Sequence, residues 1–425
     1  MAAAGSAVGL GNIWKFPYIA GENGGGAFLI VYLLCVLLFG MPLVMTEFLI
    51  GKRSGKSAYG AFQELSGNNR WQWLSWLCML TSFCIMGFYF VVTGWCFNYL
   101  MEAFVHVPSG LNMSDLSSHF AEVSADIPRM ITFSLIPIFL TAAVLWFDVN
   151  KGIERMSKTL MPLLLVLMVL MAGRVLMLDG SNIGMRFFFQ TDFSKITPTV
   201  IMEAMGQCFF SLSIGMGALI TYGAYMPKGQ NVTRTSIEVI VLDTMVALLA
   251  GLIIFPAVFA FGMDPAEGPQ LVFVVLPAIF EQMSFSWFFS VLFFSLLCIA
   301  AITSTISLME VAVAFVCEAS HGKLNRKKSV LIVAALVVVL AVFNVLSITM
   351  FNISDEVTAC IMMPVGALGM AVFVGWFLPR NGEKGVLDAD KGIKRWAQKT
   401  YIAALRWLVP AAILLIFLNR LGVFR

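Results

Sequence analysis

Residues 4–17 read Ala-Gly-Ser-Ala-Val-Gly-Leu-Gly-Asn-Ile-Trp-Lys-Phe-Pro. Hydropathy places this stretch inside a membrane. Yet Gly5, Gly9 and Gly11 interrupt it, Asn12 is polar, Lys15 is charged and Pro17 closes it. A plain spanning helix avoids that mixture. Lipid cannot satisfy free backbone N–H and C=O groups, so irregular backbone at membrane depth survives only where it lines a cavity or binds something. The expected arrangement is a helix broken near Ala7–Gly11, with freed carbonyls turned to cations and exposed amides to an anionic group. Taken alone, the stretch also suits a glycine-rich helix-packing face.

The rest of the chain supports the membrane setting. It has 425 residues, 60% hydrophobic and 12% charged, with a mean hydropathy of +0.89. That composition marks an integral membrane protein. The net charge of +3 comes without a basic stripe, which argues against nucleic acid as a partner. The eight cysteines lie in or beside apolar spans, with no CxxC or Cys/His cluster, so neither a metal site nor a disulfide framework is indicated. The three histidines, His106, His119 and His321, look like loop or span-edge residues without assigned chemistry. No cleavable signal peptide is read at the start.

Eleven spans are expected, near 2–19, 27–50, 73–103, 129–147, 153–178, 199–225, 235–262, 287–317, 329–347, 356–378 and 397–419. Most of the 27 basic residues fall in one alternate set of loops, among them Lys52, Arg53, Lys56 and Arg70, then Lys151 and Arg155, then Arg326, Lys327 and Lys328. These loops are placed in the cytoplasm, which puts the amino terminus inside and the carboxyl terminus outside. The segment 270–283 is too short and interrupted to span, and reads either as an outer loop dipping back over a cavity or as a surface hairpin.

Span six repeats the anomaly of span one. Residues 206–225 place Ser211, Ser213, Gly215 and Gly217 at mid-membrane. Glycine-interrupted spans in matching positions of two five-helix halves point to an inverted-repeat transporter with its site at the midplane. The expected fold is therefore an all-α integral membrane protein of 11 transmembrane helices. Its two inverted five-helix repeats, 1–178 and 199–378, have discontinuous helices 1 and 6, and an eleventh helix follows at 397–419.

At this point the motifs become recognisable. Gly-Ser-Ala-Val-Gly-Leu-Gly-Asn-Ile-Trp-Lys-Phe-Pro (5–17), Glu-Asn-Gly-Gly-Gly-Ala-Phe (22–28), Gly-Met-Pro-Leu…Glu (40–47), Lys-Gly-Ile-Glu-Arg (151–155) and Ile-Thr-Ser-Thr (302–305) stand together. On these the chain resembles the neurotransmitter:sodium symporter family, of the leucine-transporter fold, over essentially its whole length. Eleven spans and Gly-Met-Gly at 215–217 resemble the bacterial members that carry several hydrophobic amino acids.

The resemblance implies two sodium sites. One uses the Ala7 carbonyl, Asn12, Ser211, Asp243 and the substrate carboxylate. The other uses carbonyls of Gly5, Val8 and Ala300 with the hydroxyls of Thr303 and Ser304, although such hydroxyls more commonly bond back to their own helix. An acid within span seven is costly and marks function by default, unless it snorkels to the surface. Chloride-dependent members carry a neutral residue at the place of Asp243 and a serine four residues on, where this chain has Ala247, so no chloride requirement is expected. The substrate carboxylate would meet amides near Leu10 and Gly11 and the Tyr89 hydroxyl. The amino group would meet carbonyls near Ala7, Phe210 and Ser213. Ile85, Phe210, Met216, Ser304 and Leu308 would surround the side chain. Gly9 stands where monoamine carriers have an acid, which favours a zwitterion over an amine. The flexible Met216 suits ligands of different size.

Lys15 and Asp355 match the family's outer ion-pair gate, with Phe210 and Tyr89 as a lid beneath. Glu47 is expected to accept hydrogen bonds from the broken backbone of spans one and six, a structural role. Gly152 and Pro162 weaken span five near its cytoplasmic end, as a static kink or, in similar carriers, a half-helix that unwinds. One departure stands out: the family's cytoplasmic segment with an Arg and a Trp does not precede Gly5. Either the start is missing or the inner gate is weak, and Glu318 on span eight lacks its usual partner.

The function implied is sodium-coupled import of hydrophobic (aliphatic and aromatic) L-amino acids across the cell (plasma) membrane by alternating access. The expected partners are the amino acid and the lipid bilayer, with no obligatory protein partner. Alternatives are a non-transporting amino-acid sensor or subunit and a proton-coupled exchanger of the same fold. No nucleophile–base or metal constellation suggests an enzyme.

Overall fold

The computed structural model describes residues 9–105, 113–147, 150–227, 229–266, 268–281, 285–378 and 395–420. Among these, every regular element is helical. Seven helices are long and apolar enough to cross a bilayer: Gly26–Ser54, Asn69–Val105, Ile127–Trp146, Val232–Ala260, Ser286–Ala319, Arg326–Leu346 and Ile348–Phe377. They are spans two, three, four, seven, eight, nine and ten. Span five is the helix Asn150–Val175, and span eleven begins with Arg395–Ala403 and ends with Val409–Arg420.

Span six falls short of that length because it is broken, and of span one only the part from Gly9 onward is described. The described part of span one starts at Gly9 and forms a wide π turn, Gly11–Lys15, that tightens into the helix Phe16–Glu22 at Pro17. Of the break expected near Ala7–Gly11, Ala7 and Val8 lie outside the described residues. Span six runs as Pro198–Ser211, then irregularly, then as Ala218–Ala224. The interruption is built from left-handed backbone at Ser213 (φ 57°), Gly215 (φ 87°) and Gly217 (φ 79°). Glycine adopts that conformation without steric cost, so two glycines within three residues end the helix here. At Gly215 a side chain is also excluded by space: a Cβ would stand 2.5 Å from the Met363 carbonyl oxygen.

The loose ends of this break are taken up by neighbours. The Gly215 amide donates to Glu47 Oε1 at 2.7 Å, and Ser82 donates to the Met216 carbonyl at 3.0 Å. Unpaired backbone groups at this depth would each cost several kcal/mol. Glu47 thus serves span six, but among the described residues no span-one amide reaches it, which narrows the expected role. Its other oxygen, Oε2, has no partner among the described residues.

Span three is the central post. In its apolar window 78% of residues are buried, against 28% in span four, which turns most of its surface to lipid. Large side chains such as Phe139 and Leu140 are exposed there, as a bilayer-facing helix allows. The segment expected as a dipping loop or hairpin is the helix Leu271–Glu281, and nearly all of its apolar side chains are buried. Pro269 holds its entrance, accepting from the Trp14 indole at 2.8 Å. In span five the helix runs unbroken through Pro162, which is exposed. Gly152 lies in the same helix.

Candidate functional site

The described part of span one and the broken span six face each other across a cavity of about 40 Å³. Gly9, Gly11 and Asn12 line it from span one, Ile85 and Tyr89 from span three. Phe210, Ser211, Ser213, Met216 and Ala218 come from span six, Ser304, Ser307 and Leu308 from span eight. Eight residues expected to bind substrate therefore converge: Gly11, Ile85, Tyr89, Phe210, Ser213, Met216, Ser304 and Leu308. Leu10 joins through its amide, which donates to the Tyr89 hydroxyl at 3.2 Å. Ala7 lies outside the described residues. Gly9, singled out where monoamine carriers have an acid, lines the cavity too, while Ala218 and Ser307 are additions that only the packing reveals.

Beside the cavity, Asn12, Ser211 and Asp243 form one buried cluster. Asp243 is fully buried rather than snorkelling to the surface. Ser211 Oγ donates to both of its carboxylate oxygens, at 2.7 and 2.8 Å. Asn12 Nδ2 donates to Asp243 Oδ1 at 2.8 Å and to its carbonyl at 2.9 Å, and the Tyr32 hydroxyl lies 3.3 Å from Oδ2. All these donors are neutral. Among the described residues no Lys, Arg or His pairs with this carboxylate. A bare buried charge of this kind is strongly unfavourable unless a counter-charge is at hand. The side chains offer hard oxygens from an amide, a hydroxyl and a carboxylate. That set suits an alkali or alkaline-earth cation rather than a soft metal.

The second expected cation set is only half visible. The Thr303 and Ser304 hydroxyls both bond back to the Ala300 carbonyl, at 2.8 and 3.2 Å, the local pattern common for such residues. Gly5 and Val8 lie outside the described residues. Ser304 nonetheless sits against span one: a Cβ on Gly9 would come within 2.3 Å of its Oγ.

Above the cavity the Lys15 ammonium pairs with Asp355 Oδ1, and their side chains are 2% and 16% exposed. Tyr18 adds its hydroxyl to Asp355 Oδ2 at 3.3 Å. The same ammonium lies 4.4 Å from the centroid of the Phe210 ring and 5.8 Å from that of Phe88, so the ion pair rests directly on the aromatic lid. The Tyr89 and Phe210 rings stand 6.5 Å apart.

Below the cavity lies a network that the sequence reading missed. Tyr222 meets Ser307 at 2.5 Å, and Tyr225 donates to Glu310 Oε1 at 3.0 Å. Arg326 grips both Glu310 oxygens at 2.9 and 2.7 Å, a bidentate pair. The signal was present: two polar residues three apart on span six face two polar residues three apart on span eight. Glu318, expected to lack its usual partner, finds others. Its carboxylate accepts the Ser57 amide at 2.9 Å and the Gly60 amide at 3.0 Å, capping the helix Ala58–Ser66. Helix N-termini expose unpaired amides, which draw a nearby acid from another span. His119, expected to have no role, pairs with Glu102 at 3.0 Å on the opposite face, beside the Arg129–Glu102 pair.

Among the described residues no group of three or more His, Cys, Asp or Glu side chains could hold a metal ion. No two of the eight cysteines form a disulfide.

Comparison with known proteins gives the same picture. The profile of the sodium:neurotransmitter symporter family matches residues 1–109 and 116–424. An uncharacterized sodium-dependent transporter, YhdH of Bacillus subtilis, is 37% identical, the match covering 100% of this chain and 96% of that one. An uncharacterized sodium-dependent transporter of Haemophilus influenzae is 33% identical over 99% of this chain and 96% of its own. The crystal structure of MhsT in complex with L-phenylalanine superposes with a TM-score of 0.93 at 37% identity, covering 98% of this chain and 96% of that one. With the fold, the broken span six and these relatives in agreement, the chain belongs to the sodium:neurotransmitter symporter family, a family of multi-pass sodium-dependent transporters rather than enzymes.

Proposed function

We propose that this protein imports hydrophobic L-amino acids together with sodium. The observation that carries the reading is Asp243: a fully buried carboxylate, held only by neutral donors, beside a cavity whose walls are mostly apolar. A sodium ion bound there with Asn12 and Ser211 supplies the missing positive charge and draws in the substrate carboxylate. The Tyr89 hydroxyl, which receives the Leu10 amide, keeps its own hydrogen for that carboxylate. Ile85, Phe210, Met216 and Leu308 form the apolar part of the pocket, and the phenylalanine named with the MhsT structure supports a ligand of that class.

The reading extends to two sodium ions, the second at Ala300, Thr303 and Ser304 with the carbonyls of Gly5 and Val8. Because Asp243 carries its own negative charge, transport proceeds without chloride. Residues 1–178 and 199–378 act as inverted repeats that expose the site alternately to each side, with the amino terminus in the cytoplasm. In the present conformation Lys15–Asp355 closes one side and Tyr225–Glu310–Arg326 the other.

The test is uptake of labelled leucine and phenylalanine into proteoliposomes. Uptake is expected in sodium, with or without chloride, and not in choline at the same pH. Uptake driven by a proton gradient in choline would overturn the sodium coupling. Uptake abolished by removing chloride would overturn the role given to Asp243.

A further inference from the structure

At one edge of the helix bundle a groove of about 520 Å³ opens between the start of span three and span ten. Trp71 and Trp73 form one wall; Val365, Leu368, Gly369, Val372 and Phe377 form the other. Arg70 stands at its mouth. We propose that this groove binds one anionic phospholipid, with an acyl chain against Val365–Phe377 and the phosphate on Arg70. The proposal rests on the cytoplasmic placement of the loop before span three.

Three observations select this occupant. The first is length. Val365 to Phe377 is twelve helical steps, the last five through the π turn Phe373–Phe377, so at most about 18 Å at the α-helical 1.5 Å each, and the hydrocarbon of one leaflet is about 15 Å deep. The groove therefore matches a chain lying in one leaflet. The second is shape. Trp73 is 47% exposed at the start of a spanning helix, where indoles settle at the membrane–water interface. A Cβ on Gly369 would stand 3.0 Å from the Trp73 ring and 2.8 Å from Leu74, so the glycine lets the indole approach span ten closely. Trp71 packs edge-on to Phe373 at 5.0 Å and closes the deep wall. The third is charge. The Arg70 side chain is exposed and has no acidic partner among the described residues. A guanidinium takes phosphate in bidentate fashion, and the cytoplasmic leaflet is the one that carries anionic lipid.

The test uses the full chain, purified in detergent and depleted of lipid. Phosphatidylglycerol or phosphatidylcholine of the same acyl chains is titrated, with glycerophosphoglycerol as a chain-free control, and unfolding temperature and bound lipid by native mass spectrometry are read. Phosphatidylglycerol is expected to bind at least tenfold more tightly than phosphatidylcholine, and the chain-free control not to stabilise. Arg70→Gln is expected to bring phosphatidylglycerol down to the phosphatidylcholine level. Leu368→Trp, which fills the groove, is expected to abolish the tight site for both. An undiminished preference in Arg70→Gln, unchanged binding in Leu368→Trp, or a groove-dependent dimer in place of bound lipid would each overturn the proposal. Sodium-dependent amino-acid binding, read in the same samples, is expected to persist in both variants. Its absence from the unaltered protein would count against the proposed function and leave the lipid result standing on its own.

Discussion

Asp243→Asn should separate a cation ligand from an ordinary buried acid, because the two roles predict opposite signs. The substitution keeps the shape of the side chain and removes one charge. In the structure the carboxylate receives Ser211 on both oxygens at 2.7 and 2.8 Å, Asn12 at 2.8 Å and Tyr32 at 3.3 Å. These neutral donors offset part of its desolvation, but no basic residue among those described completes it. Without a cation, replacing the charge with an amide should therefore be neutral or stabilising, by about 1–3 kcal/mol. With a cation, the variant loses a unit charge at close range. At about 4 Å and an effective dielectric near 20 that interaction is about 4 kcal/mol, or roughly a thousandfold in sodium affinity. The assay is thermal unfolding of the purified protein, titrated with sodium chloride against choline chloride. In choline, Asp243→Asn should unfold at the same temperature as the unaltered protein or above it. In sodium, the stabilisation seen for the unaltered protein should shrink or vanish, since binding to the native state raises stability only as the ion concentration exceeds its dissociation constant. An unchanged sodium midpoint would refute the argument. So would an equal loss of stability in both salts, which is the signature of a purely structural acid.

Lys15→Gln removes the cation that joins Asp355 and covers Phe210; with the pair largely buried, bound amino acid should dissociate about tenfold faster, measured by chase of labelled ligand. Gly215→Ala forces a side chain onto a φ of 87° and to 2.5 Å from the Met363 carbonyl oxygen; it should cost about 2–4 kcal/mol of stability, read as a lowered unfolding temperature and lost sodium-dependent binding. Glu318→Gln weakens the cap on Ser57 and Gly60 by about 1 kcal/mol; faster proteolysis of the 52–68 loop, with substrate affinity within twofold, is the expected result.

How much of this was legible beforehand depends on where the signal resides. The break in span six shows in the residues that make it. Gly215 and Gly217 hold positive φ, and a glycine there is a local requirement of the backbone. Asp243 was legible for a similar reason: an acid in an apolar run is anomalous wherever the helix docks. The cavity residues were read only through the resemblance, because Ile85, Phe210, Met216 and Leu308 taken singly look like ordinary packing. The partners of Glu318 were not legible because they are backbone amides, which carry no side-chain signature. The role of 271–281 was half read, since its interruption by Pro277 masked a buried helix.

Hydropathy, glycine punctuation and a misplaced acid are properties of short stretches, and from them the sequence alone determined a membrane-embedded, helical protein with an interrupted span six. Which groups meet was decided by the tertiary structure. Lys15 and Asp355 are 340 residues apart and Tyr225 and Glu310 are 85 apart. Such pairs form only once the helices have taken their rotation and depth, and those are set by side-chain packing summed over the whole bundle rather than by any one segment.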